Sequence, residues 1–112
     1  SRAGDHMLRF LGDREGQLNV LRHLPDGQQL VRRLARGGPD DARMTAEELS
    51  MDFEYVRHLY RALRRVGLVT EYEGGTIKAS ERTLKPTAET NRKHPYYRTT
   101  DRAERLLRVL AE

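Results

Sequence analysis

Three features of the sequence predict a mainly α fold with a small antiparallel β element (α+β). Apolar residues recur at helical spacing in four separate stretches. One of them, residues 52–66, carries a complete i, i+3, i+4, i+7 stripe. Immediately after it the period changes to that of a strand, which runs into the Gly74-Gly75 pair, where both positions of a two-residue hairpin loop can take a positive φ.

The elements follow in order. Ser1 to His6 has the look of an expression-tag scar before a native Met7 and stands outside the fold. Residues 7–112 then form one domain. Leu8, Leu11, Leu18, Leu21 and Leu24 predict an N-terminal helix over 7–24, weakened at Gly12 and Gly16 and ended by the turn residues Pro25-Asp26-Gly27. Leu30, Val31, Leu34 and Ala35 mark a second helix over about 28–36, stopped by Gly37-Gly38-Pro39. A short third helix begins at Thr45, where Thr45-Ala46-Glu47-Glu48 has the form of a capping box, with Ala46 and Leu49 turned to the core. Ser50-Met51 makes a tight turn. Asp52 caps the fourth helix, and Phe53, Val56, Leu59, Tyr60, Leu63 and Val66 form its buried face. Gly67 closes it as a C′ residue with positive φ.

Leu68 to Glu73 and Thr76 to Ala79 read as the two strands of a hairpin, in a register that pairs Tyr72 with Ile77 and Glu71 with Lys78. Residues 80–95 are polar and basic and read as a long exposed loop or short helix, and Tyr96 to Thr99 can add a third strand. Thr100 or Asp101 caps a last helix whose stripe is Ala103, Leu106, Leu107 and Leu110. The order helix, short helix, tight turn, longer helix, hairpin, helix is that of a winged helix-turn-helix with extra N-terminal and C-terminal helices. Residues 28–73 supply the helix-turn-helix core and first wing strand, 74–99 the wing, and 100–112 the last helix.

The chain is 34% charged and carries a net charge of +4, and the excess is local. Residues 53–98 hold ten Lys/Arg against five Asp/Glu, while the segments on either side are close to neutral. Such a field suits a phosphate backbone. In a helix-turn-helix the second helix needs one apolar face to be held and one face of long side chains to reach base edges and phosphates. On 52–66 the outward residues include Tyr55, Arg57, His58, Arg61, Arg64 and Arg65. Arg57 and Arg61 share a face and can hold a guanine edge or a phosphate. In the wing, Lys78, Arg82, Lys85, Arg92 and Lys93 are candidates for phosphate or minor-groove contact. Asp52 and Glu54 run against this reading: they suit the helix dipole but repel phosphates at the end that would enter the groove.

Other chemistry has little to stand on. Cysteine is absent, and His23, His58 and His94 show no ligand spacing, so no metal or other cofactor is expected. There is no phosphate loop with lysine, no His-Glu-x-x-His and no nucleophile elbow, so the chain is expected not to be an enzyme. It has no apolar run of roughly 20 residues and no signal-peptide pattern, and a cytoplasmic location is expected.

Thr45-Ala46-Glu47-Glu48-Leu49-Ser50, followed by Val56-Arg57-His58-Leu59-Tyr60-Arg61-Ala62-Leu63-Arg64-Arg65-Val66-Gly67-Leu68-Val69, resembles winged-helix transcriptional regulators of the ArsR, MarR and PadR type. Tyr96 to Leu107 resembles their junction between wing and last helix. Thr76-Ile77-Lys78 and Lys93-His94-Pro95-Tyr96-Tyr97 are similar to stretches of a group of uncharacterised archaeal winged-helix proteins. Over about residues 28–110 the resemblance implies a sequence-specific double-stranded DNA-binding protein acting in transcription regulation, and a homodimer joined through its first and last helices. Two other readings use the same elements. One is a protein-contact module of transcription or replication machinery, which would expose an apolar patch. The other is an RNA or general chromatin binder.

Overall fold

The computed structural model describes residues 14–72, 77–79, 82–84 and 95–111. Its elements are α1 (Arg14–His23), α2 (Pro25–Gly37), β1 (Asp40–Asp41), α3 (Ala42–Leu49), α4 (Phe53–Arg65), β2 (Val69–Glu71), β3 (Ile77–Ala79), β4 (Arg82–Leu84), β5 (Tyr96–Thr99) and α5 (Asp101–Ala111). The fold is mainly α with small antiparallel sheets, in the arrangement of a winged helix with added first and last helices. One core joins all five helices and the β2–β5 pair. It is built on Leu21, Leu30, Val31, Leu34, Ala46, Val56, Tyr60, Leu63, Leu68, Val69, Tyr97, Ala103 and Leu106.

Several helix ends lie where the sequence places them. Asp52 caps α4 by accepting from the Tyr55 amide at 3.1 Å. Ser50 takes the left-handed conformation at φ 53° and turns the chain between α3 and α4. Beyond α4, the Leu68 amide donates to Leu63 O at 2.9 Å and the Gly67 amide to Arg64 O at 3.1 Å. These are the two bonds of a Schellman motif, and they require the φ of +85° that Gly67 has. Thr100 caps α5: its hydroxyl accepts from the Ala103 amide at 3.1 Å and donates to Gly67 O at 2.8 Å. The last helix is thereby tied to the end of α4.

Four expectations are corrected. Pro25-Asp26-Gly27 does not form a turn between helices. Pro25 opens α2, where a missing amide hydrogen costs nothing, and Leu24 alone separates α1 from α2. Of the helix expected over 7–24, Arg14–His23 is α1, with Gly16 inside it and buried, and 7–13 lie outside the described residues.

The third helix starts three residues early. Its cap is Asp41, which accepts from the Met44 amide at 2.8 Å. The Thr45 capping box is absent because Thr45 is fully buried and its hydroxyl is used elsewhere, while Glu48 pairs with Arg33.

The third correction is the wing register. Glu71 pairs with Tyr97 rather than Lys78, and Ile77 with Leu84 rather than Tyr72. The three-stranded sheet runs β1-β5-β2 and the separate ribbon is β3-β4. Nearness along the chain favours a β2–β3 hairpin. Burial decides otherwise, because pairing with β5 brings Tyr97 and Val69 together over the core. The Gly74-Gly75 loop lies outside the described residues. Finally, 80–95 contains a strand, β4, and the two-residue β1 has no counterpart in the expected elements.

The end of α4 makes a sharp demand on one residue. A Cβ on Gly67 would lie 2.9 Å from Gln17 Nε2, the donor that reaches Val66 O at 2.8 Å from α1. Gly67→Ala therefore combines a left-handed penalty with a displaced buried amide, and should lower stability by about 2 kcal/mol. Urea unfolding measures this directly, and an unchanged midpoint would remove the close contact from the account.

Candidate nucleic-acid interface

The position of α4 is set from beneath by a buried polar line. The Tyr60 hydroxyl and the Thr45 hydroxyl share a hydrogen bond at 2.7 Å. Thr45 in turn donates to Asp40 Oδ2 at 3.3 Å, so the proton between the two hydroxyls comes from Tyr60. Asp40 Oδ2 also accepts from Arg33 Nε at 3.0 Å and Nη2 at 2.7 Å, and Oδ1 from the Asp41 amide at 2.9 Å. Arg33 further pairs with Glu48. On its other side the Tyr60 ring stacks on Tyr97, with centroids 4.6 Å apart and planes 11° from parallel. One tyrosine of α4 thus meets α3, β5 and, through Asp40, β1 and α2.

The electrostatics follow from this packing. Burial raises the Tyr60 phenol well above its ordinary range, so the hydroxyl remains a donor at every physiological pH. Burial raises the Asp40 carboxyl, and Arg33 offsets only part of that. For Arg33, burial works to lower the guanidinium, but hydrogen bonds and charge from Asp40 and Glu48 outweigh it and raise it.

Above this seat the predicted side chains divide into two groups. Tyr55 is exposed at the N-terminal end of α4, but its hydroxyl donates to Asp26 at the start of α2. Arg57 pairs with Glu54 at 3.4 Å. Asp26, Asp52 and Glu54 therefore make this end acidic. Toward the C-terminus, His58, Arg61, Arg64 and Arg65 are exposed. Arg64 Nη1 donates to Glu71 on β2 at 2.9 Å, whereas Arg61 and Arg65 have no ion-pair partner among the described residues. The structure brings Arg57, Arg61 and Arg64 along one side of α4, at spacing i, i+4, i+7, facing the β2–β5 edge. By backbone register Lys78 stands opposite Thr83 and Arg82 opposite Ala79. The side chains of Lys78 and Arg82, and all of Lys85, Arg92 and Lys93, lie outside the described residues.

Sequence reasoning missed Arg33, Asp40 and Thr45 as the support of this surface. A signal was available: Tyr60 lies on an otherwise apolar stripe, and a buried phenol needs a partner. Among the described residues no three His, Asp or Glu side chains are grouped to hold a metal ion. No described helix is long and apolar enough to cross a membrane.

Residues 18–110 match a family described as an uncharacterized protein conserved in archaea, DUF2250. The chain belongs to this family. The match takes in every element from α2 to β5, including the polar line and the whole of α4. The likeness to uncharacterised archaeal proteins is thus shown at the level of the family. No curated protein and no solved structure matches the chain.

The polar line predicts a coupled stability effect. Thr45→Val leaves the buried Tyr60 hydroxyl without its partner and should cost about 1–3 kcal/mol, whereas Tyr60→Phe should cost less, because Thr45 still donates to Asp40. The double variant should cost clearly less than the sum of the two, since neither hydroxyl is then orphaned. Equilibrium denaturation of the four proteins gives the coupling, and strict additivity would dissolve the network.

Proposed function

We propose that this protein is a sequence-specific double-stranded DNA-binding protein, acting as a transcriptional regulator, with α4 in the major groove and the wing, residues 74–99, on the backbone or in the minor groove. The observation that carries this reading is the pair Arg61 and Arg65. Both are exposed on the C-terminal half of α4 without an ion-pair partner among the described residues, on a helix whose opposite face is buried. Guanidinium groups with no resident carboxylate can meet guanine edges or phosphates without first giving up an ion pair. The excess of positive charge over residues 53–98 adds the long-range attraction. The acidic leading end shifts the contact toward the C-terminal half of α4 and away from Tyr55, whose hydroxyl is held by Asp26. On this reading the protein works by binding rather than by catalysis and needs no cofactor. It pairs as a homodimer through its first and last helices, where Val109 of α5 is 39% exposed.

One observation favours a protein partner instead. Tyr55 is 43% exposed and bonded to Asp26, and Leu24, two residues before Asp26 in the chain, is 42% exposed, so apolar and acidic groups occur together at the start of α2 and of α4. The two readings place the working surface at opposite ends of one helix, so substitutions separate them.

Fluorescence anisotropy against duplex DNA, single-stranded DNA and RNA at two salt concentrations tests the proposal. Duplex should be preferred, with affinity falling steeply as salt rises. Arg61→Ala with Arg65→Ala should weaken duplex binding about tenfold or more and flatten the salt dependence by about two phosphate contacts, with the fold retained. Wild-type binding by this double variant would refute the assignment of α4. A stronger loss from Leu24→Ser with Tyr55→Ser in pull-down of a protein partner, without any duplex binding, would favour the protein-contact reading.

A further inference from the structure

The arginine row on α4 is not free to act as a row. Arg57, Arg61 and Arg64 share the side of the helix that faces β2 and β5, and a carboxylate holds each end. Glu54 takes Arg57 at 3.4 Å, and Glu71 takes Arg64 at 2.9 Å. Only the middle guanidinium, Arg61, has no ion-pair partner among the described residues. Glu71 is placed by the sheet: it stands opposite Tyr97, the ring stacked on Tyr60. The Tyr97 phenol is raised mainly by burial, and the positive charges of Arg64, Arg61 and Arg57 work in the opposite sense. Arg57 adds a second sign of incompleteness. Its Nε is shielded from solvent and donates to no acceptor among the described residues, although buried donors of this kind are nearly always paired.

We infer that the three arginines form one seat for a backbone phosphate, in which Glu54 and Glu71 are resident counter-ions that a phosphate must displace. This rests on the duplex-binding reading above and adds an internal competitor to it. A carboxylate and a phosphate ask the same thing of a guanidinium, a pair of parallel acceptors, so they compete for the same donors. Both pairs are exposed, and exposed ion pairs are weak enough to be exchanged for a ligand. The two carboxylates hold affinity down and set the guanidinium groups in place before DNA arrives. Binding is then most favourable where a backbone phosphate can reach Arg61 and draw Arg57 and Arg64 from their carboxylates. A uniform basic surface would have no such requirement.

Charge-neutral substitution of the competitors tests this. Glu71→Gln keeps the size and strand position of the side chain and should tighten duplex binding roughly threefold to tenfold, with a salt dependence steeper by about one phosphate contact. Glu54→Gln should act in the same direction through Arg57, on a different element. The decisive comparison is Glu71→Gln in an Arg64→Ala background. If Glu71 acts by occupying Arg64, the gain disappears there. If it only lowers the overall field, the gain persists, and the seat is refuted. Equal duplex affinity of wild type, Glu71→Gln and Glu54→Gln also overturns it. Wild type that fails to bind duplex at all is a different result, and it removes the DNA-binding reading itself.

Discussion

Everything at the candidate interface is referred to one hydrogen-bonded line, Tyr60 to Thr45 to Asp40 to Arg33. Its members come from α4, α3, β1 and α2, and the stack of Tyr60 on Tyr97 adds β5. An apolar contact between these elements would tolerate small slides and rotations. A chain of buried hydroxyls and a carboxylate does not, because each displaced group would be left unsatisfied at a cost of about 1–3 kcal/mol. The helix-turn-helix angle and the docking of the wing base are therefore set by the same few atoms. The raised Asp40 carboxyl shows that this specificity has a cost in desolvation, which Arg33 relieves only in part.

Fixing α4 from below determines what its upper face can present. With Tyr60 inward, Arg57 and Arg64 fall beside the sheet edge while Arg61 and Arg65 reach solvent. Gln17 and Thr100 tie the far end of the helix, at Val66 and Gly67, to α1 and to the start of α5. The near end is crowded with Asp26, Asp52 and Glu54, and the Tyr55 hydroxyl and Arg57 Nη2 are already engaged there. A helix built this way is polar in both senses: acidic where its dipole is positive, basic where its dipole is negative. That arrangement favours the helix, and it also sorts possible ligands between its two ends.

Much of this was legible in the sequence, for reasons that differ from element to element. The α4 stripe, the Asp52 cap and the Gly67 stop are local statements, each enforced by the residues next to it, and they survive folding intact. Thr100 is of the same kind. The capping box at Thr45 failed because a local signal met a stronger distant one: the hydroxyl is worth more to Tyr60, fifteen positions on, than to its own helix end. The wing failed in the same manner. Gly74-Gly75 promotes a hairpin, but the pairing of β2 is decided by Tyr97, 26 positions beyond Glu71, because that ring must be buried. At the candidate site, the sequence identified which side chains point outward from α4. It did not show that Glu54 and Glu71 would already hold two of them, since the second of these pairings depends on a sheet register that chain order misplaces.

The proposed contact is between duplex DNA and the C-terminal half of α4 with the adjoining sheet edge. Backbone amide NMR of the labelled protein, titrated with short duplex DNA, maps that contact residue by residue. The largest shifts are expected across residues 57–66 and at Glu71, with α1 and α5 nearly silent. Shifts concentrated around Leu24, Asp26 and Tyr55, or none at saturating duplex, would contradict it.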